Sequence, residues 1–227
     1  MKKTIITVFS ALFIALSTQA AVDVSVAYTS DYYFRGFQLA DSIIEAAVDY
    51  SEGDFYAGMW TAQPFEGAGD GLVYLNEIDF YGGYGVALGD VASLDFGICA
   101  YVYPELDEGD EATYEPYIGL SFDAPLAPTA YVYYDLTLEI LTVEGSLGYS
   151  IEVDETSTVD LGVALGSVMP DEGDSGLYWT ASLGYSKSIG DTASFSASVN
   201  YNDGEDVLSS GNWDDGFYFS LGLSVGF

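Results

Sequence analysis

Histidine is absent from the 227 residues, cysteine occurs once, and only four residues are basic. Without histidine, Ser-His and Asp-His mechanisms are excluded, and with them the usual general base near neutral pH. The single cysteine, Cys99, permits no disulfide within the chain, so the fold has to be held by packing and backbone hydrogen bonds. No apolar run reaches the ~20 residues that a membrane-crossing helix requires. The four bases face 36 acids, and such a surface repels nucleic acid and anionic headgroups. So large an excess also marks whole proteomes of salt-adapted organisms. Net charge alone therefore does not separate habitat from a charge-selective function.

What is present begins with an export signal. Met1-Lys2-Lys3, the apolar run Ile5 to Leu16 and the small-residue stretch Ser17-Thr18-Gln19-Ala20 have the three parts of a secretory signal peptide, with cleavage expected after Ala20. Its removal leaves Arg35 and Lys187 as the only bases, a net charge near −34. No Pro- or Ser-rich linker divides residues 21–227, which read as one domain.

The clearest periodicity lies at the other end. Phe217, Phe219, Leu221, Leu223, Val225 and Phe227 alternate with Gly216, Tyr218, Ser220, Gly222, Ser224 and Gly226, a strand with one apolar face and one small, polar face. Ala193 to Tyr201, Leu177 to Tyr185, Val159 to Leu165, Leu141 to Ile151, Ala130 to Leu136 and Leu94 to Val102 repeat the pattern. Weaker segments cover 114–122, 73–86, 55–63, 43–50 and 22–29, and in the earliest of these either face is plausible. The fold expected is all-β: an up-and-down antiparallel transmembrane β-barrel of about 12 strands.

Connection lengths test this independently, because outer-membrane barrels combine short periplasmic turns with longer outside loops. Counting back from Phe227, the connections 202–213, 167–176, 103–113, 62–72 and 31–42 fall outside and are long. Those at 189–192, 153–157, 88–92 and 51–54 fall inside and are short. Residues 137–140 are the exception, short where a long loop is expected. The acidic runs Glu105 to Glu111, Asp171 to Asp174 and Asp203 to Asp206 all fall on the outside. A soluble sandwich has no reason to sort its loops so. Pro116 lacks the donor that a closed barrel uses, and a bulge is predicted there. Tyr84, Tyr149 and Tyr185 on the inner side and Trp60, Trp179 and Trp213 on the outer are expected in interfacial girdles.

Strand parity places Asp95, Glu115, Asp135, Glu144 and Asp160 along the lumen, with Cys99 and several tyrosines, and Arg35, Glu77 and Asp79 are expected to join this lining. A lumen lined by carboxylates favours cations. Glu77 and Asp79 share a strand face, yet two such acids read more simply as solvated lining than as an acid–base pair, and no enzymatic role is expected. Arg35 is expected to pair with a lumen acid, Glu77 or Asp79 before the others; the alternative is a surface arginine against lipopolysaccharide phosphate. Asp107, Glu108, Asp110 and Glu111 offer oxygens to a divalent cation, but without the twelve-residue loop of a dedicated calcium site. No cofactor is implied.

Three segments add a resemblance. Val26-Ala27-Tyr28-Thr29-Ser30-Asp31-Tyr32-Tyr33-Phe34-Arg35-Gly36, Phe55 to Trp60 and Glu77 to Tyr84 resemble, in this order, the signatures of the TorF-type putative porins, an exported family of largely unassigned function. The resemblance covers mainly residues 22–122. It implies a barrel and a presumed pore, and brings no substrate or catalytic residue with it. The C-terminal Ser220-x-Gly222-x-x-Val225-x-Phe227 resembles the pattern read by the outer-membrane assembly machinery. The expectation is thus a porin-like channel in the outer membrane of a Gram-negative bacterium, in contact with lipid and lipopolysaccharide and passing small solutes. The alternative is a non-conducting barrel with a structural or adhesive role carried by its acidic loops.

Overall fold

The computed structural model describes residues 21–65, 76–107, 111–204 and 215–227; the expected signal peptide lies outside them. The strands are β1 (Ala21–Thr29), β2 (Tyr32–Phe34), β3 (Phe37–Ala40), β4 (Ile43–Glu52), β5 (Phe55–Pro64), β6 (Glu77–Ala87), β7 (Ala92–Val102), β8 (Ala112–Phe122), β9 (Thr129–Asp135), β10 (Ile140–Asp154), β11 (Ser157–Pro170), β12 (Gly176–Ile189), β13 (Ala193–Gly204) and β14 (Gly216–Gly226). Twelve close into one barrel in the order β1-β14-β13-β12-β11-β10-β9-β8-β7-β6-β5-β4, while β2 and β3 pair only with each other.

Closure satisfies backbone groups that a sheet edge would leave open, the condition for crossing a bilayer with strands. The seam pairs β1 with β14 from Asp23↔Gly226 to Thr29↔Ser220. At its end the Phe227 amide donates to Val22 O at 2.8 Å and the Val22 amide returns a bond to Phe227 O at 3.3 Å.

The register turns one face of every strand outward around the wall. Val24 faces Val48, Val48 faces Met59, and Met59 faces Phe80; all four are exposed, as are Leu165, Leu183 and Leu221 across the barrel. Apolar side chains pointing away from a sheet whose other face is polar have lipid as their natural environment. The pairing also settles the face of the early strands: even positions point out on β1 and β4, odd positions on β5. Trp60 therefore points inward, against Tyr32, and is not part of an outer girdle as predicted. Trp179 does face outward, its indole N–H reaching Asp203 at 3.0 Å, and Trp213 lies outside the described residues.

Two local expectations are corrected. Pro116 makes no bulge. Ile98↔Pro116 sits in an unbroken run of β7–β8 pairs, and Tyr117↔Tyr133 on the β9 side keeps the same register as the Leu136 amide bound to Tyr114 O at 2.9 Å. The even amides of β8 point to β9, as Phe122 N–H to Pro128 O shows, so proline forfeits one bond on that side and the ladder resumes beyond it. Second, the connection read as 167–176 shrinks to residues 171–175, because β11 and β12 extend through it.

The short outside turn at 136–139 has a local cause. Asp135 Oδ1 accepts the amides of both Thr137 and Leu138 at 2.8 Å, and Glu139 adopts a positive φ of 55°. The side chain completes a tight turn in place of a loop.

Candidate functional site

The first outside connection folds back into the barrel. Phe34-Arg35-Gly36-Phe37 forms the tip of the β2–β3 hairpin, with φ of 49° at Arg35 and 93° at Gly36. Two positive φ values in succession make a turn that glycine tolerates and arginine disfavours. The strained residue is held from the far wall. Arg35 Nη1 lies 2.5 Å from Glu115 Oε2 and Nη2 lies 2.8 Å from Glu115 Oε1, a bidentate pair. The guanidinium stands 4.6 Å from the Phe34 ring centroid and 4.3 Å from that of Tyr133. Burial opposes its charge, but the bond to Glu115 and the surrounding groups more than offset this, so Arg35 titrates above its ordinary value.

The rest of the hairpin is tied around the lumen. Tyr32 and Tyr103 each donate a hydroxyl to Glu77 at 3.0 Å. Burial and the Glu77 charge raise both hydroxyls above the ordinary phenol value, so they remain donors. Tyr33 packs on Tyr218 at 5.2 Å and Phe34 on Tyr101 at 5.9 Å. Tyr101 also donates to Glu115 Oε1 at 2.9 Å.

Arg35 thus does not pair with Glu77 or Asp79. The hairpin carries it past both to β8, and Glu77 is already satisfied by two tyrosines.

Elsewhere along the lumen, tyrosine hydroxyls and carboxylates pair repeatedly. Tyr178 donates to Glu144 at 2.6 Å, Tyr56 and Tyr131 to Asp95 at 2.8 and 3.1 Å, and Tyr81 to Asp49. Glycines make room for the rings: a Cβ at Gly119 would stand 2.3 Å from Tyr131, and one at Gly166 the same distance from Tyr178. Serines and glycines line the opposite wall, where Ser194 and Ser224 hydroxyls meet at 2.7 Å. Between the walls lies a cavity of about 410 Å³.

Of the predicted lumen residues, Arg35, Asp79, Asp95, Glu115 and Glu144 line this cavity. Glu77 is buried beside it. Asp135 serves the 136–139 turn, and Asp160 is held by Ser150 and Thr158 toward the inner end. Sequence reasoning missed Asp31 and Glu45 on the cavity wall, and also Thr180 and Asn200. Glu45 shares its strand face with Ile43, Ala47 and Asp49, a mixed face whose direction is set only by the Val24↔Val48 pairing. Asp107 and Glu111 lie in an outside loop; Glu108 and Asp110 are outside the described residues. Ser220 and Gly222 face inward on β14, and Val225 and Phe227 outward.

A family model for a bacterial protein of unknown function (Gcw_chp) matches residues 16–223. The chain belongs to that family. No curated protein matches it. Among solved structures it is similar to the NanC porin, with 16% identity, 90% of this chain and 98% of that chain covered, and a TM-score of 0.57. The KdgM porin gives 11%, 91%, 99% and 0.59. The COG4313 outer membrane channel from Pseudomonas putida F1 gives 10%, 97%, 100% and 0.61. At such identities the likeness is one of fold: the Gcw_chp chain has the closed antiparallel β-barrel fold that these outer-membrane porins share.

Proposed function

We propose that this Gcw_chp protein is a channel of the Gram-negative outer membrane through which small solutes diffuse, with preference for cations. The observation that carries the reading is the composition of the cavity wall, where Asp31, Glu45, Asp79, Asp95, Glu115 and Glu144 face one base, Arg35. Carboxylates in a low-dielectric wall concentrate cations and exclude anions. The porin-type fold and the TorF-like opening motif support the same reading. Residues 1–20 serve as the export signal, and Ser220, Gly222, Val225 and Phe227 as the assembly signal. Lipid and lipopolysaccharide then surround the apolar wall.

Refolded protein in a planar bilayer under a potassium chloride gradient tests this. Steady currents whose reversal potential follows potassium are the expected result. A barrel that inserts but passes no current, or one that follows chloride, overturns it. The inserted hairpin favours low conductance, so the silent structural barrel is the competing outcome.

A further inference from the structure

Glu77, Asp79 and Glu115 are buried close together around the hairpin tip, and the structure partners them unequally. Glu77 accepts two tyrosine hydroxyls, and Glu115 holds Arg35 and Tyr101. Asp79 lines the cavity at 9% exposure, and its buried Oδ1 has no hydrogen-bond partner among the described residues. On the opposite wall Thr180 Oγ1 and Asn200 Oδ1 are in the same condition, at 7% and 3% exposure. Buried oxygens left unpaired are costly, most of all on a carboxylate. Each of the three can accept a proton from a donor brought into the cavity.

We infer that the cavity binds a small organic cation bearing a guanidinium or primary ammonium head, with Asp79 as its carboxylate partner. The inference rests on the channel reading and names its solute class. The lumen already shows how it holds such a group: Arg35, the chain's own guanidinium, lies beside Phe34 and Tyr133 with a carboxylate across its fork. Around Asp79 the same materials recur, with Trp60, Tyr81 and Tyr101 on the cavity wall. Aromatic faces favour a weakly hydrated organic cation, which can give up water for a ring surface. A metal ion is disfavoured, since among the described residues no group of three His, Cys, Asp or Glu side chains is placed to hold one. The volume of about 410 Å³ falls within the range of ligand pockets.

Calorimetric titration of the refolded protein in detergent, with methylguanidinium chloride in a potassium chloride background, is the test. Saturable binding is expected, with methylurea, the uncharged analogue of the same shape, failing to bind. Asp79→Asn should weaken methylguanidinium by about tenfold or more, the loss expected for a bond to a charged acceptor. Equal binding of methylurea, undiminished binding in Asp79→Asn, or no saturable binding overturns the inference. Should Asp79→Asn fail to fold, the comparison of the two ligands on the unaltered protein still decides. Potassium conductance, measured in parallel, bears on the channel alone: a conducting barrel without methylguanidinium binding loses this inference and keeps the channel.

Discussion

Replacing Arg35 by asparagine separates the ion pair from the turn that carries it. Asparagine accepts the left-handed φ of 49° more readily than arginine, so the hairpin tip keeps its conformation and loses only the guanidinium. What is lost is a bidentate bond to Glu115, whose side chain is 3% exposed, and contacts with the rings of Phe34 and Tyr133. Breaking a buried pair from one side costs ~3–5 kcal/mol, because the remaining charge is stranded. The contacts left to the hairpin include three ring pairs, Tyr32–Trp60, Tyr33–Tyr218 and Phe34–Tyr101, and the Tyr32–Glu77 bond, worth about 1 kcal/mol each. A two-stranded hairpin has little stability of its own. The docked state should therefore lose about two to four orders of magnitude in population, and the hairpin should leave the lumen. The chain supplies a reporter in its single thiol: Cys99 lines the cavity within a cluster of tyrosines that includes Tyr101, on which Phe34 rests. Modification of Cys99 by a membrane-impermeant thiosulfonate should accelerate about a hundredfold or more in Arg35→Asn, with larger single-channel conductance and unchanged heat-modifiable migration. Adding Glu115→Gln removes the stranded charge and should restore the barrel's melting point without slowing the labelling. An unchanged labelling rate and conductance in Arg35→Asn would refute the claim that this pair holds the hairpin.

Gly119→Ala places a methyl 2.3 Å from Tyr131, so the ring must leave Asp95; a loss of ~1–3 kcal/mol is expected from such overpacking, read as a lower temperature for the heat-modified gel shift. Asp135→Ala strands the amides of Thr137 and Leu138. It should destabilise the barrel by ~1–2 kcal/mol and quicken proteolysis between residues 136 and 139. Deletion of Phe227 removes both seam bonds to Val22 and the end of the assembly pattern. Its expected result is a marked fall in membrane-inserted protein in cells, and normal insertion would count against the seam and the signal alike.

The last strands were legible because each carries one apolar and one small face, and a period of two in a sheet leaves a single way to orient them. The lumen side of Asp95, Cys99, Glu115 and Glu144 followed from the same alternation. Pro116 misled because a missing donor suggests distortion, whereas a barrel with two neighbours per strand absorbs the loss on one side. Trp60 misled because aromatic residues suit either face of an early strand, and its neighbours Ala57, Gly58 and Thr61 carry no contrast.

By itself the sequence determined the closed sheet, the direction of its strands and the acidity of its interior, since these depend on local alternation and on composition. The partners inside were decided only by the tertiary structure. Arg35 and Glu115 are 80 positions apart, and no spacing rule joins them. The hairpin reaches β8 only because the barrel is wide enough to admit it and glycines leave space for the rings around it. For the same reason Asp79 keeps a buried carboxylate oxygen without a hydrogen-bond partner among the described residues: which acids are satisfied depends on where one folded-in loop ends.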